Sequence, residues 1–122
     1  MTNCMVDLAK YRELIESALA HNGGSHTYED IVEGVEKGLF VVWPGVRSIV
    51  VCQLLQLPRV RIGHCFLAAG EMSEVLSIRT WCEEWARRSG CNVVSINGRP
   101  GWEKMLAGEG YTKKSVVLEK AL

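Results

Sequence analysis

At 122 residues the chain is long enough for one hydrophobic core and too short for two. Apolar residues make up 48% and charged residues 23%, which sets aside a disordered or fibrous chain. Lys plus Arg and Asp plus Glu each number 14, a balance that speaks against a general nucleic-acid or membrane-surface partner. No apolar run approaches the roughly 20 residues of a membrane span. The start, Met-Thr-Asn-Cys-Met-Val-Asp, has neither the basic head nor the apolar centre of a secretion signal, so a cytoplasmic location is expected.

Residues 5–20 place Leu8, Tyr11, Ile15, Ala18 and Leu19 on one side at helical spacing, and Asn22-Gly23-Gly24 ends that helix. A second short helix follows, capped by Thr27, built on Tyr28, Ile31, Val32 and Val35, and closed by Gly38. Residues 39–43 form a short β-rich run, and Pro44-Gly45 signals a turn. Residues 49–57 are apolar on both faces, as in a strand covered from both sides. After Pro58, residues 60–69 set Val60, Ile62, His64 and Phe66 against Arg61, Gly63 and Cys65 in alternation, completing an antiparallel meander. The helical period returns over residues 72–89 with Met72, Val75, Ile78, Cys82 and Trp85, and Gly90 supplies the stop. Glu83 with Arg87, and Glu84 with Arg88, stand at favourable i,i+4 spacing. Residues 91–96 are a compact buried strand, and the intervening helix makes a parallel, right-handed crossover. Residues 100–108 form a short helix with Pro100 in its first turn, and residues 111–120 a final strand on Val116, Val117 and Leu118.

Cys4, Cys52, Cys65, Cys82 and Cys91 are odd in number and never stand at Cys-x-x-Cys spacing. They read as small buried hydrophobes, with neither a disulfide framework nor a zinc site signalled, and Cys4 as the most reactive.

The result is a single α/β (strictly α+β) domain over residues 1–122, of order α-α-β-β-β-α-β-α-β, with a mixed sheet and helices on both faces. Residues 1–24 hold the first helix, 25–70 the second helix and meander, and 71–122 the second half. This order, together with the run Asn97-Gly98-Arg99-Pro100-Gly101-Trp102 and the Gly110-Tyr111 step, resembles a truncated GNAT (GCN5-related N-acetyltransferase) domain. The Gly-Arg-Pro-Gly-Trp turn is also similar to that of small GNAT-like proteins of tailed bacteriophages and prophages, which would place the chain in a bacterial host cytoplasm.

The resemblance implies acetyl-CoA as cofactor, its pantetheine arm along the fourth family strand at Phe66, Leu67 and Ala68, and its pyrophosphate at Gly70, Met72 and Ser73 on the next helix N-terminus. Asn97, Arg99 and Trp102 would border the cofactor, with Arg99 and Trp102 able to hold an anion and stack a ring; alternatively they are a turn residue and an aromatic plug. The family's Arg/Gln-x-x-Gly-x-Gly/Ala pattern is reduced here to Ala68-Ala69-Gly70-Glu71-Met72-Ser73, and Glu71 presents the wrong charge to a phosphate or simply complements the helix dipole. His64 occupies the strand where the family carries its general base, or else is a hydrogen-bonded core histidine. The helix after the fifth family strand lacks the tyrosine that protonates the leaving thiolate.

Two functions follow as expectations. One is an acyl-CoA-dependent N-acetyltransferase using His64. The other is a catalytically degenerate GNAT-fold protein that binds a protein partner, or pairs as a homodimer, through an exposed sheet edge.

Overall fold

The computed structural model describes residues 6–99 and 101–122, so Cys4, the start of the expected first helix, and Pro100 lie outside the described residues. A 3₁₀ turn, Leu8–Tyr11, leads into α1 (Arg12–Ala20). Helix α2 (Tyr28–Glu36) starts in a reciprocal capping box: the Asp30 N–H donates to Thr27 Oγ1 at 3.2 Å, and the Thr27 N–H donates to Asp30 Oδ2 at 2.9 Å. The meander is β1 (Val41–Pro44), β2 (Ser48–Gln56) and β3 (Arg61–Gly70). Helix α3 (Met72–Arg88) then crosses to β4 (Val93–Ile96), and α4 (Trp102–Ala107) follows. The sheet order is β1-β2-β3-β4, antiparallel except for the parallel β3–β4 pair.

Helices lie on both faces, as expected. Ile15, Leu19 and Ile31 from α1 and α2 pack with Phe40, Val42, Ile49, Val51 and Leu67 on one side. Val75, Ile78 and Cys82 of α3 pack with Val50, Cys52, Cys65 and Ala68 on the other. Gly63 lets α3 approach, since a Cβ there would meet Ala86 Cβ at 2.7 Å.

The ninth expected element is not formed. Residues 111–122 carry no helix or strand, and Val116, Val117 and Leu118 stand 66%, 78% and 89% exposed. Strand propensity expresses the fit of a side chain to a pleated, half-buried surface. This tail pairs with none of the described strands.

Glu83 also chooses other partners than expected. Its Oε2 accepts from Arg79 at 2.8 Å and from the Tyr111 hydroxyl at 2.7 Å, while Arg87 and Arg88 both turn to Glu84. Glu83 lies on the half-buried side of α3, where a phenol and a guanidinium are within reach and the exposed Arg87 is not.

Candidate active site

The central feature is where β3 and β4 part. Their last paired residues are Cys65 and Ile96, after which only the Asn97 N–H reaches back, to the Cys65 carbonyl at 3.2 Å. Residues 66–69 therefore have no partner on that edge. A β-bulge lies at this point: Val51 pairs with Leu67 but Cys52 with Cys65, so Phe66 is the extra residue. Bulges bend and overtwist a strand, and this one lies immediately after the last rung. Phe66 and Leu67 consequently both fall in the α1/α2 core.

His64 stands one residue before the divergence. Its register partner across the parallel pair is Ser95, and Nδ1 lies 2.7 Å from Ser95 Oγ. With Nδ1–H donating to that oxygen, Nε2 keeps its lone pair, and no described residue bonds it. Burial lowers the imidazole below its ordinary value, with Cys65 pulling weakly the other way. The ring is therefore neutral near pH 7 and able to take a proton.

The N-terminus of α3 closes one end of the gap. Val75 N–H makes the first helical bond, to the Glu71 carbonyl, leaving the Met72, Ser73 and Glu74 amides without an acceptor among the described residues. The two acidic residues here are already engaged. Glu74 accepts from the Val46 and Arg47 amides at 2.7 and 2.9 Å, and Glu71 pairs with Arg47 at 3.0 Å. Ser48 Oγ accepts from the Glu71 N–H at 3.0 Å, and Tyr11 donates to the Gly45 carbonyl at 2.7 Å. The β1–β2 turn is thereby clamped between the 3₁₀ turn that precedes α1 and the start of α3. Gly70, at φ +115°, sits against it: a Cβ would lie 2.2 Å from the Arg47 carbonyl oxygen.

On the α3 side the gap is nearly filled. Ala68, Met72, Leu76, Ile96, Trp102 and Leu106 line an apolar cavity of about 20 Å³, which holds one water-sized guest. Trp102 lies over Gly98, where a Cβ would meet its ring at 3.2 Å. Helix α4 is held to α3 by a polar latch in which Arg79 bridges Glu83 and Glu109, and Tyr111 donates to Glu83. Burial, and after it the bond to Glu83, pushes the Tyr111 phenol far up, so it stays protonated and committed to that carboxylate.

Of the residues singled out in the sequence, Ala68, Met72 and Trp102 meet at this cavity. His64 lies beside the divergence, and Gly70 and Ser73 lie at the helix terminus. Phe66 and Leu67 supply backbone only, their side chains being buried in the opposite core. Asn97 and Arg99 are exposed; Asn97 contributes its backbone N–H to β3, and the Arg99 carbonyl accepts from Trp102 N–H at 2.9 Å. Ser95, Glu74 and Tyr111 were not predicted as part of the site. The i,i+31 spacing of His64 and Ser95 becomes visible only once the parallel register is known.

No protein-family model matches the chain, and no curated protein does. Solved structures match throughout its length. An acetyltransferase from Trypanosoma brucei superposes with a TM-score of 0.69 at 13% identity, covering 100% of this chain and 96% of that one. Glucosamine-6-phosphate N-acetyltransferase from Arabidopsis thaliana gives 0.65 at 14% identity, covering 95% and 94%. An aminoglycoside N-acetyltransferase in complex with CoA gives 0.66 at 12% identity, covering 100% and 91%. The chain has the fold of these acetyltransferases, a mixed sheet with helices on both faces. That fold is the GNAT fold. Among the described residues no helix is long and apolar enough to cross a membrane.

Proposed function

We propose that the chain is an acyl-CoA-dependent N-acyltransferase of the GNAT superfamily, most simply an acetyltransferase, acting on an amine. The observation that carries this reading is the parting of β3 and β4 at a bulge, beside a helix terminus with three free amides. Acyl-CoA supplies the activated acyl group. The Met72, Ser73 and Glu74 amides suit its phosphates, with Arg47 offsetting Glu71. The unpaired edge over residues 66–69 offers backbone N–H groups to the pantetheine amides and to the thioester oxygen. Ser95 fixes the His64 ring, and Nε2 accepts the amine proton as nitrogen attacks the carbonyl. Tyr111 is spent on Glu83, so the departing thiolate takes its proton from solvent. Helix α4 must swing outward for ligand to enter, because Trp102 and Leu106 hold the gap to the size of one water.

Calorimetric titration with acetyl-CoA, CoA and dephospho-CoA tests binding, and His64→Gln tests chemistry. The expected results are binding that weakens without the 3′-phosphate, and turnover reduced by about 10²–10⁴-fold with binding retained. No heat at millimolar ligand on folded protein would remove the acyltransferase reading.

The closed gap favours a second reading, a degenerate GNAT-fold protein that binds a partner. Such a partner, or a second copy of the chain, would add a strand to an exposed sheet edge. In a protein of phage or prophage type that partner would be met in the host cytoplasm. A strictly monomeric protein that captures nothing would oppose it.

A further inference from the structure

Cys52 of β2, Cys65 of β3 and Cys82 of α3 converge under the last β3–β4 rung, although 13 and 30 residues separate the second and third from the first. The Cys52 Sγ lies 3.4 Å from that of Cys65 and 3.8 Å from that of Cys82, and all three lie within 4.8 Å of one another. All three are buried. A metal–sulfur bond of about 2.3 Å in a planar three-coordinate arrangement spaces the sulfurs √3 times that, about 4.0 Å apart. The Cys52–Cys65 and Cys52–Cys82 spacings, 3.4 and 3.8 Å, fall short of this value by about 0.6 and 0.2 Å, so an ion enters once Cys52 and Cys65 part by about half an ångström.

A second observation points the same way. Two buried side-chain donors lack an acceptor among the described residues, Trp43 Nε1 and Arg79 Nε. Both belong to side chains that border the thiol cluster: Trp43 packs on its apolar surround, and Arg79 lines the cavity that Cys65 and Cys82 also line. Buried N–H groups left over in a folded protein call for an explanation, an absent ion among them. Polar groups around a metal–thiolate site tune it, and these two donors stand in its surround.

We propose that Cys52, Cys65 and Cys82 form a three-sulfur site for monovalent copper. The donor set is sulfur alone, and no fourth His, Cys, Asp or Glu joins it among the described residues. Zinc takes four ligands, whereas soft thiolates select Cu(I). Each copper–sulfur bond displaces a thiol proton, which leaves to solvent. The proposal does not rest on the acyltransferase reading, although Cys65 and Cys82 line the same cavity.

The test is an anaerobic titration of reduced Cys4→Ser/Cys91→Ser protein with Cu(I), in competition with bicinchoninate. X-ray absorption is recorded on the loaded wild-type protein. The expected result is one copper per chain, a near-ultraviolet thiolate-to-copper band, and three sulfur scatterers. Cys52→Ser, Cys65→Ser and Cys82→Ser should each weaken binding by more than about 100-fold, beyond what outer-shell changes produce. The proposal is overturned if bicinchoninate retains all the copper. It is equally overturned if nitrogen or oxygen scatterers dominate, a result that does not depend on whether any variant folds.

Discussion

Replacing Gly70 by alanine should be among the most damaging single changes in this chain. Gly70 has φ +115°, a region that L side chains rarely adopt, and imposing it costs about 1–3 kcal/mol. The added Cβ would also lie 2.2 Å from the Arg47 carbonyl oxygen and 2.5 Å from Ser48 Cα. These are backbone atoms of a turn already fixed by Glu74 and Tyr11, so relief requires moving the turn, at a further cost of about 1–3 kcal/mol. The sum, about 2–6 kcal/mol, is a large share of the 5–15 kcal/mol that typically holds a domain. At about 3–6 °C per kcal/mol for this size, the melting temperature should fall by at least about 6 °C. Gly24→Ala is the control: φ is +75° there and nothing lies within 4 Å, so strain acts without contact. Thermal and urea denaturation of both variants measure the difference. A Gly70→Ala melting temperature within about 2 °C of that of Gly24→Ala would refute the claim that the β1–β2 turn is a rigid abutment.

Other outcomes follow from the same contacts. The Ser48 hydroxyl, then the Arg47 and Val46 amides, hold the Glu74 carboxyl below its ordinary value of 4.5. Its contribution to stability is therefore present above that value and lost as pH falls through the lower folded-state value. The melting-temperature gap between wild type and Glu74→Gln should be open at pH 6 and close toward pH 3; a gap constant with pH would contradict this. Tyr111→Phe removes the donor to Glu83 and should cost about 1–2 kcal/mol. Amide exchange in α4 should rise more than in β2, whereas uniform acceleration would mean that the latch does not act locally. Trp102→Ala should enlarge the cavity and, on the acyltransferase reading, tighten CoA binding while lowering stability. Weaker CoA binding would instead make Trp102 a ligand contact.

Much of the fold was legible because its signals are local. Thr27 announces its cap, the stripe from Met72 to Trp85 announces α3, and a strand–helix–strand order of that length admits a parallel pair. What escaped depends on register or on distant partners. The bulge at Phe66 leaves no mark in the alternation of residues 60–69, because Phe66 and Leu67 are both apolar whichever face they take. The three cysteines share no sequence spacing, being drawn together from two strands and a helix. The tail at Val116–Leu118 has the composition of a strand but pairs with none of the described strands. His64 was visible as a titratable group on a strand, whereas the serine that orients it was hidden until β4 was set beside β3.

The extra residue in β3 has a consequence for how this stretch can change. Before Phe66 the odd-numbered side chains, Cys65 among them, look toward α3, and after it the even-numbered Ala68 does so. The strand thus carries two reading frames spliced at one position. Insertion or loss of a single residue between Gly63 and Ala68 would leave one frame intact and turn the other inside out. This segment should therefore accept no change of length.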